Sequence, residues 1–269
     1  MNYRVDIIII GDSKSGHSLL DNIMKNKPYI HTAFVSKTFK STTMHDYVNV
    51  KYFKNQVEYI SFRSRLFCIC LDNGDRLFST HIVIASGVAY EPLILNNEKV
   101  PCVFNTLDDI PKSAKSSPAL VIGDEGSDIK FALEVAKRYK QVYFCTKELD
   151  ISKKLSAATA NKLNQAENIV ILPNTTLKKA NTKNGILQTV ELDNYSTINC
   201  SAIFIKTKTT PEIDFIPRKI IKRDELGYLE VSDRAESTLV PKCFAIGNCI
   251  SRYTKTTEKL VIDAILQDF

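Results

Sequence analysis

Glycine is scarce: nine residues in 269, about half the usual share, so each survivor marks a backbone position that other residues do not readily take. Tryptophan is absent and methionine occurs three times. No apolar run approaches a membrane span, and Ile7-Ile8-Ile9-Ile10 is too short for a signal-peptide core. A soluble, cytoplasmic chain with no membrane partner is therefore expected. The seven cysteines are odd in number and contain no Cys-x-x-Cys pair, which fits reduced thiols rather than a disulfide framework. His17, His31, His45 and His81 show no metal-ligand spacing, and no Gly-x-Ser-x-Gly elbow or Walker-type loop occurs. What is present is globular composition, 44% hydrophobic and 25% charged, which excludes a disordered or fibrous chain. The formal net charge of +6 admits an acidic partner or RNA. Lys178-Lys179 and Arg218-Lys219 with Lys222-Arg223 are the obvious basic clusters.

Two of the glycines stand in Asn-Gly pairs, Asn73-Gly74 and Asn184-Gly185, the strongest short-range hairpin signal. The other seven organise a plan that the chain runs through twice. A strand, Val5 to Ile10, meets a turn at Gly11 to Gly16 and then a helix with Leu19, Leu20, Ile23 and Met24 on one face. A strand at His31 to Val35 follows, then extended segments at Val57 to Phe62, Arg65 to Asp72 and Asp75 to Phe78, and the strand Ile82 to Ala85 ending at Ser86-Gly87. The second copy has a strand at Ala119 to Ile122, a turn at Gly123 to Asp128 and a helix with Ile129, Ala132, Leu133 and Ala136 inward. It continues with a strand at Gln141 to Cys145, a hairpin into Ile186 to Leu192 and a closing strand at Ala202 to Ile205. Strand, turn, helix and strand followed by a meander is a dinucleotide-type βαβ unit. The expected fold class is α/β, with two nested Rossmann-like (FAD/NAD(P)-binding type) domains carrying small antiparallel meanders. Residues 1–112 with 208–269 form the outer domain and 113–207 the inserted one, with crossings near Pro111 to Pro118 and Lys206 to Pro211.

The ordered set of motifs is more specific than any one turn. Val5-Asp6-Ile7-Ile8-Ile9-Ile10-Gly11, Ile84-Ala85-Ser86-Gly87, Ala119-Leu120-Val121-Ile122-Gly123, and Gly227-Tyr228-Leu229-Glu230-Val231 ahead of Cys243-Phe244-Ala245-Ile246-Gly247-Asn248 occur in this order. Along nearly its whole length the chain resembles the thioredoxin-reductase-like group of pyridine nucleotide-disulfide oxidoreductases. The resemblance implies an FAD domain built from both chain ends and an inserted NAD(P)H domain. It assigns a residual FAD site to Gly11, Ser13, Gly16, Gly87, Gly247 and Asn248, and a residual NAD(P) site to Gly123, Gly126 and Lys147.

The chain departs from that pattern at each landmark. Ser13 stands at the middle glycine of the first turn, where its hydroxyl and Lys14 could meet a phosphate, or where Gly11 and Gly16 serve packing alone. Phe34-Val35-Ser36-Lys37 offers no acidic residue for the adenosine ribose. Asn248 replaces the family's aspartate at the flavin's ribityl-phosphate region. Only about Ser36 to Lys54 spans the stretch that encloses flavin in the family. In the second turn, Glu125 takes the middle glycine and Asp128 the last small residue, so that with Asp124 three carboxylates crowd a helix N-terminus that should attract pyrophosphate. Lys147 alone cannot form the bidentate fork that grips a 2′-phosphate. The redox cysteine pair is missing, and no residue is assigned a catalytic or metal-binding role.

The expectation is a thioredoxin-reductase-like pseudoenzyme with degenerate cofactor sites, binding or scaffolding a macromolecular partner (a protein or an RNA-containing assembly). No bound cofactor is expected; FAD is the one nucleotide for which room is left, NAD(P)H is disfavoured, and a homodimer is compatible. The alternative is an FAD-dependent NAD(P)H oxidoreductase with an atypical site and a mechanism that uses no dithiol.

Overall fold

The computed structural model describes residues 1–39, 45–107, 117–194, 196–251 and 255–269, with side chains omitted for 255–258. The chain forms two compact units, Met1–Ala89 with Thr209–Phe269, and Tyr90–Lys208. The expected crossing near Pro111 to Pro118 lies, as far as Ser116, outside the described residues.

In the first unit, five strands form a parallel sheet in the order Cys243–Ala245, His81–Ile84, Ile7–Ile10, Thr32–Ser36, Val50–Lys54. Ile7–Ile10 is buried along its whole length, as a strand covered on both faces must be. Side chains alternate across the sheet, so Ile7 and Ile9 face one core and Ile8 and Ile10 the other. On the first side lie helix Lys14–Asn26, through Leu19, Leu20 and Ile23, and helix Lys255–Asp268, through Val261 and Ile265. On the second side lies a four-stranded sheet: Asn2–Arg4, parallel to Arg76–Ser79, then Leu66–Leu71 and Val57–Arg63, each antiparallel to its neighbour. Asn73-Gly74 makes its hairpin, with Gly74 at φ +81°.

The second unit repeats the plan. Its parallel sheet runs Val103–Phe104, Ala202–Ile205, Ala119–Ile122, Val142–Cys145, Ile169–Leu172. Helices Gly126–Ala136 and Ala157–Asn164 cover one face. An antiparallel sheet of Leu177–Lys183, Ile186–Leu192 and Thr197–Asn199 covers the other, turned at Asn184-Gly185 where both residues have positive φ. No helix among the described residues is long and apolar enough to cross a membrane.

Candidate functional site

The first glycine turn links the central strand Ile7–Ile10 to helix Lys14–Asn26. Gly11 has φ +114°, and a Cβ there would stand 2.3 Å from the Ala85 carbonyl oxygen. A Cβ on Gly16 would meet the Gly11 oxygen at 2.8 Å and Ala85 Cβ at 3.2 Å. Both glycines are thus demanded by the chain's own close approach of turn, helix and neighbouring strand, before any ligand is considered. Ser13 is the N-cap: its Oγ accepts from Gly16 N at 3.1 Å, satisfying one of the amides that a helix start leaves open. Asp12 pairs with His17 Nε2, and the His17 ring packs on Phe34 at 4.9 Å between centroids. His17 is therefore a packing and pairing residue of this turn.

Gly247 and Asn248 fall in a one-turn helix, Gly247–Cys249, beside that helix start; a Cβ on Gly247 would lie 3.3 Å from Ser15 Oγ. Asn248 is exposed, and the C-terminal helix starts only at Lys255, so Asn248 does not cap it. Gly87 has φ +73° with open space where a Cβ would stand, and next to it the buried Ser86 hydroxyl has no hydrogen-bond partner. The first-site residues are thus grouped around one helix N-terminus and the ends of three neighbouring parallel strands. At the end of the next strand Ser36 Oγ donates to its own loop at Thr38 O (2.9 Å), and Lys37 is exposed. The shortened stretch after it contains the edge strand Val50–Lys54, and Phe39 and Tyr52 close on Phe34 with centroids 5.6–5.8 Å apart.

The second turn is filled by its own carboxylates. Asp128 Oδ2 accepts from Glu125 N at 3.1 Å at the start of helix Gly126–Ala136. The same side chain lies so close over Gly123 that a Cβ there would stand 2.4 Å from it. Gly126 is required by the Lys154 carbonyl, 2.3 Å from where its Cβ would be. Asp124 Oδ1 accepts from Thr146 Oγ1 (3.0 Å) and Lys147 N (2.8 Å), tying the turn to the next strand end. Lys147 therefore contributes its backbone to the turn, and its side chain is exposed.

Three carboxylates crowd this turn, and two lysines distant in sequence attend them. Lys206 Nζ lies 2.9 Å from Asp128 Oδ1 and also donates to Ser127 O and Oγ. Lys154 Nζ lies 3.4 Å from Glu125 and 3.0 Å from Glu148, and donates to Asp124 O at 2.8 Å. Two lysines among Asp124, Glu125, Asp128 and Glu148 leave the turn net negative, and Asp128 also fills the space over Gly123. Sequence spacing gave no signal for Lys154 or Lys206, because loop and sheet closure bring them there.

All seven cysteines are free thiols. Burial pushes the thiols of Cys145 and Cys200 up to about 12 and that of Cys249 up to about 11, and raises Cys243 as well. These four are protonated and poor nucleophiles. Cys249 Sγ donates to Ile246 O at 3.2 Å. Among the described residues no group of three or more His, Cys, Asp or Glu side chains is arranged to hold a metal ion. Of the basic clusters, Arg223 is turned inward onto the carbonyls of Ile213 (2.8 Å) and Ile216 (3.0 Å), while Arg218, Lys219 and Lys222 are exposed.

Paired parallel-sheet units with a glycine turn at each central strand define a two-dinucleotide-domain protein. The sequence pattern of the family described as pyridine nucleotide-disulphide oxidoreductase matches residues 6–247, and the chain belongs to that family. Its fold is thioredoxin-reductase-like. It is similar to the Lactococcus lactis thioredoxin reductase in its FR conformation (TM-score 0.72, 15% identity, 98% of each chain covered). It is also similar to the T. acidophilum thioredoxin reductase (0.66, 15%, 97% of this chain and 96% of that one) and to the Streptococcus pyogenes enzyme (0.63, 14%, 100% of each). Comparison with curated proteins gave no match.

Proposed function

We propose that this chain uses the family's architecture as a binding or scaffold protein, and that it does not carry out dithiol reduction. The observation that supports this most is the second turn. There the Asp128 carboxylate takes the helix-terminal amide and the space over Gly123 that a dinucleotide pyrophosphate would need. The residues present do not fit NAD(P)H. The absent Cys-x-x-Cys removes the attacking and resolving thiols, and burial keeps four of the seven cysteines protonated. The partner is a macromolecule, with the exposed Arg218, Lys219 and Lys222 as the basic contact group.

A second reading has a specific observation behind it. The first helix carries no acidic residue in its opening turn, and beside it lie the open space at Gly87 and the unpartnered Ser86 hydroxyl. These fit the phosphate end of FAD, with Lys14, Ser86 and Asn248 as the side chains that would hold it. FAD bound there would supply electron transfer through its flavin ring. The chain's own part would be to place the phosphates on the helix start and to shield them with Phe39 and Tyr52.

The absorption spectrum of the purified protein separates the readings. Colourless protein that gains no flavin bands on incubation with FAD, and that leaves NADPH fluorescence unchanged, agrees with the scaffold. A yellow protein bleached by NADH or NADPH overturns it.

A further inference from the structure

The outer sheet of the first unit carries a pair of thiols that neither nucleotide turn uses. Along Leu66–Leu71 burial alternates: Phe67, Ile69 and Leu71 are buried in the core, while Leu66, Cys68 and Cys70 stand on the opposite face, partly exposed. The ladder registers place this face as two rows. Tyr59, Cys70, Arg76 and Asn2 lie side by side in one; Ser61, Cys68, Phe78 and Arg4 lie in the other. Cys68 and Cys70 thus sit at the centre of an exposed sheet face, with Arg76 directly across the ladder from Cys70 and no carboxylate in either row.

From this geometry we propose that Cys68 and Cys70 form a two-sulfur site for a soft monovalent cation of the Cu(I) type. Two residues along a strand separate their Cα atoms by about 6.7 Å with side chains parallel, and a disulfide needs Cβ atoms about 3.8 Å apart. Both neighbouring strands hold this backbone in ladders, so a direct S–S bond is disfavoured. A cation between the sulfurs, with metal–sulfur bonds of about 2.3 Å each, spans about 4.6 Å. That separation is reached by a rotamer change of the two parallel side chains.

The small number of ligands selects the ion. Tetrahedral zinc and iron–sulfur clusters need four protein ligands or close to it, and the described residues offer no third His, Cys, Asp or Glu to make such a group. Two thiolates alone suit a soft ion of low coordination number. Binding is M⁺ + 2 RSH → [RS–M–SR]⁻ + 2 H⁺, with no change of oxidation state. The single negative charge formed is offset by Arg76. On binding, the ion displaces the protons of both thiols. Cys102, the remaining partly exposed thiol, lies in the bend before Val103–Phe104 with its sulfur 4.0 Å from Gly185 O, and its thiol neighbour is the buried Cys200.

The test is anaerobic titration of the whole chain with Cu(I) against a chromogenic Cu(I) chelator. The expected result is one tight ion per chain, at least about a hundredfold weaker in Cys68→Ser and in Cys70→Ser and about tenfold weaker in Arg76→Gln. Cys102→Ser should bind as the unaltered protein does. Release of two protons makes the apparent affinity rise about a hundredfold per pH unit near neutrality. Iodoacetamide mapping of the unaltered protein covers the case of a misfolded variant: Cu(I) should protect Cys68 and Cys70 together and leave Cys102 reactive. Stoichiometry unchanged in both serine variants, a single released proton, or protection of Cys102 instead would each overturn the proposal.

Discussion

Replacing Asp128 tests the idea that the second turn is occupied by the protein itself. Asp128→Ala removes the acceptor for Glu125 N (3.1 Å) and the partner of Lys206 (2.9 Å). Loss of a helix-start acceptor costs about 1 kcal/mol. The Lys206 pair adds at most about 1 kcal/mol, since the lysine is 47% exposed. The variant should therefore be about 1–2 kcal/mol less stable in urea unfolding. A phosphate placed at this turn would stand about 4 Å from the carboxylate, a repulsion of ~4 kcal/mol at an effective dielectric near 20. With Lys206 cancelling about half of that, removing the charge should tighten ADP-ribose or NADPH binding by ~2 kcal/mol, about thirtyfold. Asp128→Asn loses the charge but keeps the acceptor and the side chain over Gly123, so it should show a smaller gain in binding than Asp128→Ala with less of the loss in stability. The measurements are urea melts and fluorescence titration with NADPH. Micromolar NADPH binding by the unaltered protein that weakens in either variant would falsify the reasoning.

Gly11→Ala places a Cβ 2.3 Å from Ala85 O at φ +114°, and should cost at least about 3 kcal/mol or prevent folding. Gly74→Ala, at φ +81° with nothing within 4 Å, should cost only about 1–2 kcal/mol; equal thermal shifts for the two would refute the packing account of the first turn. Acid should loosen the C-terminal helix, because the buried His81 donates from Nε2 to Asp268 (2.9 Å) and accepts at Nδ1 from Thr80 (2.9 Å). Desolvation holds the His81 imidazole below its ordinary value. The unfolded chain therefore takes up a proton that the folded one refuses, and stability falls as pH drops below about 6.5. His81 and Lys242 hold the Asp268 carboxyl below the usual range. That contribution is present above the unfolded carboxylate value and lost as pH falls further, through its folded one. Thermal melts between about pH 7 and about pH 5 should slope downward with acid, and His81→Gln should flatten that slope; an unchanged slope would count against this account.

Much of the architecture could be read from residues because burial on both faces leaves uninterrupted apolar runs: Ile7–Ile10, His81–Ile84, Ala119–Ile122 and Ala202–Ile205 all stand as central or near-central strands. Two edge strands of the parallel sheets escaped. In Val50–Lys54, Lys51 and Lys54 break the apolar pattern in a lysine-rich stretch, and burial is correspondingly partial. Ile169–Leu172, the edge of the other parallel sheet, and the short helix Ala157–Asn164 gain their place from tertiary packing on neighbours, which no local pattern records. At the site, the tight-turn role of Gly11 and the crowding of Asp128 were legible from spacing. The counterions Lys154 and Lys206 were not: Lys154 lies 29 residues from Glu125 and Lys206 lies 78 from Asp128.

Four identical isoleucines in a row carry no address. If Ile7–Ile10 slid one step along its neighbours, one core would still receive two isoleucines, while the other would trade one for Asp6 or Gly11. In either direction a residue with a Cβ, Ile10 or Asp12, would reach the Ala85 carbonyl, which only a bare α-carbon can pass. Gly11 is thus the latch that tells an otherwise anonymous strand where to stop.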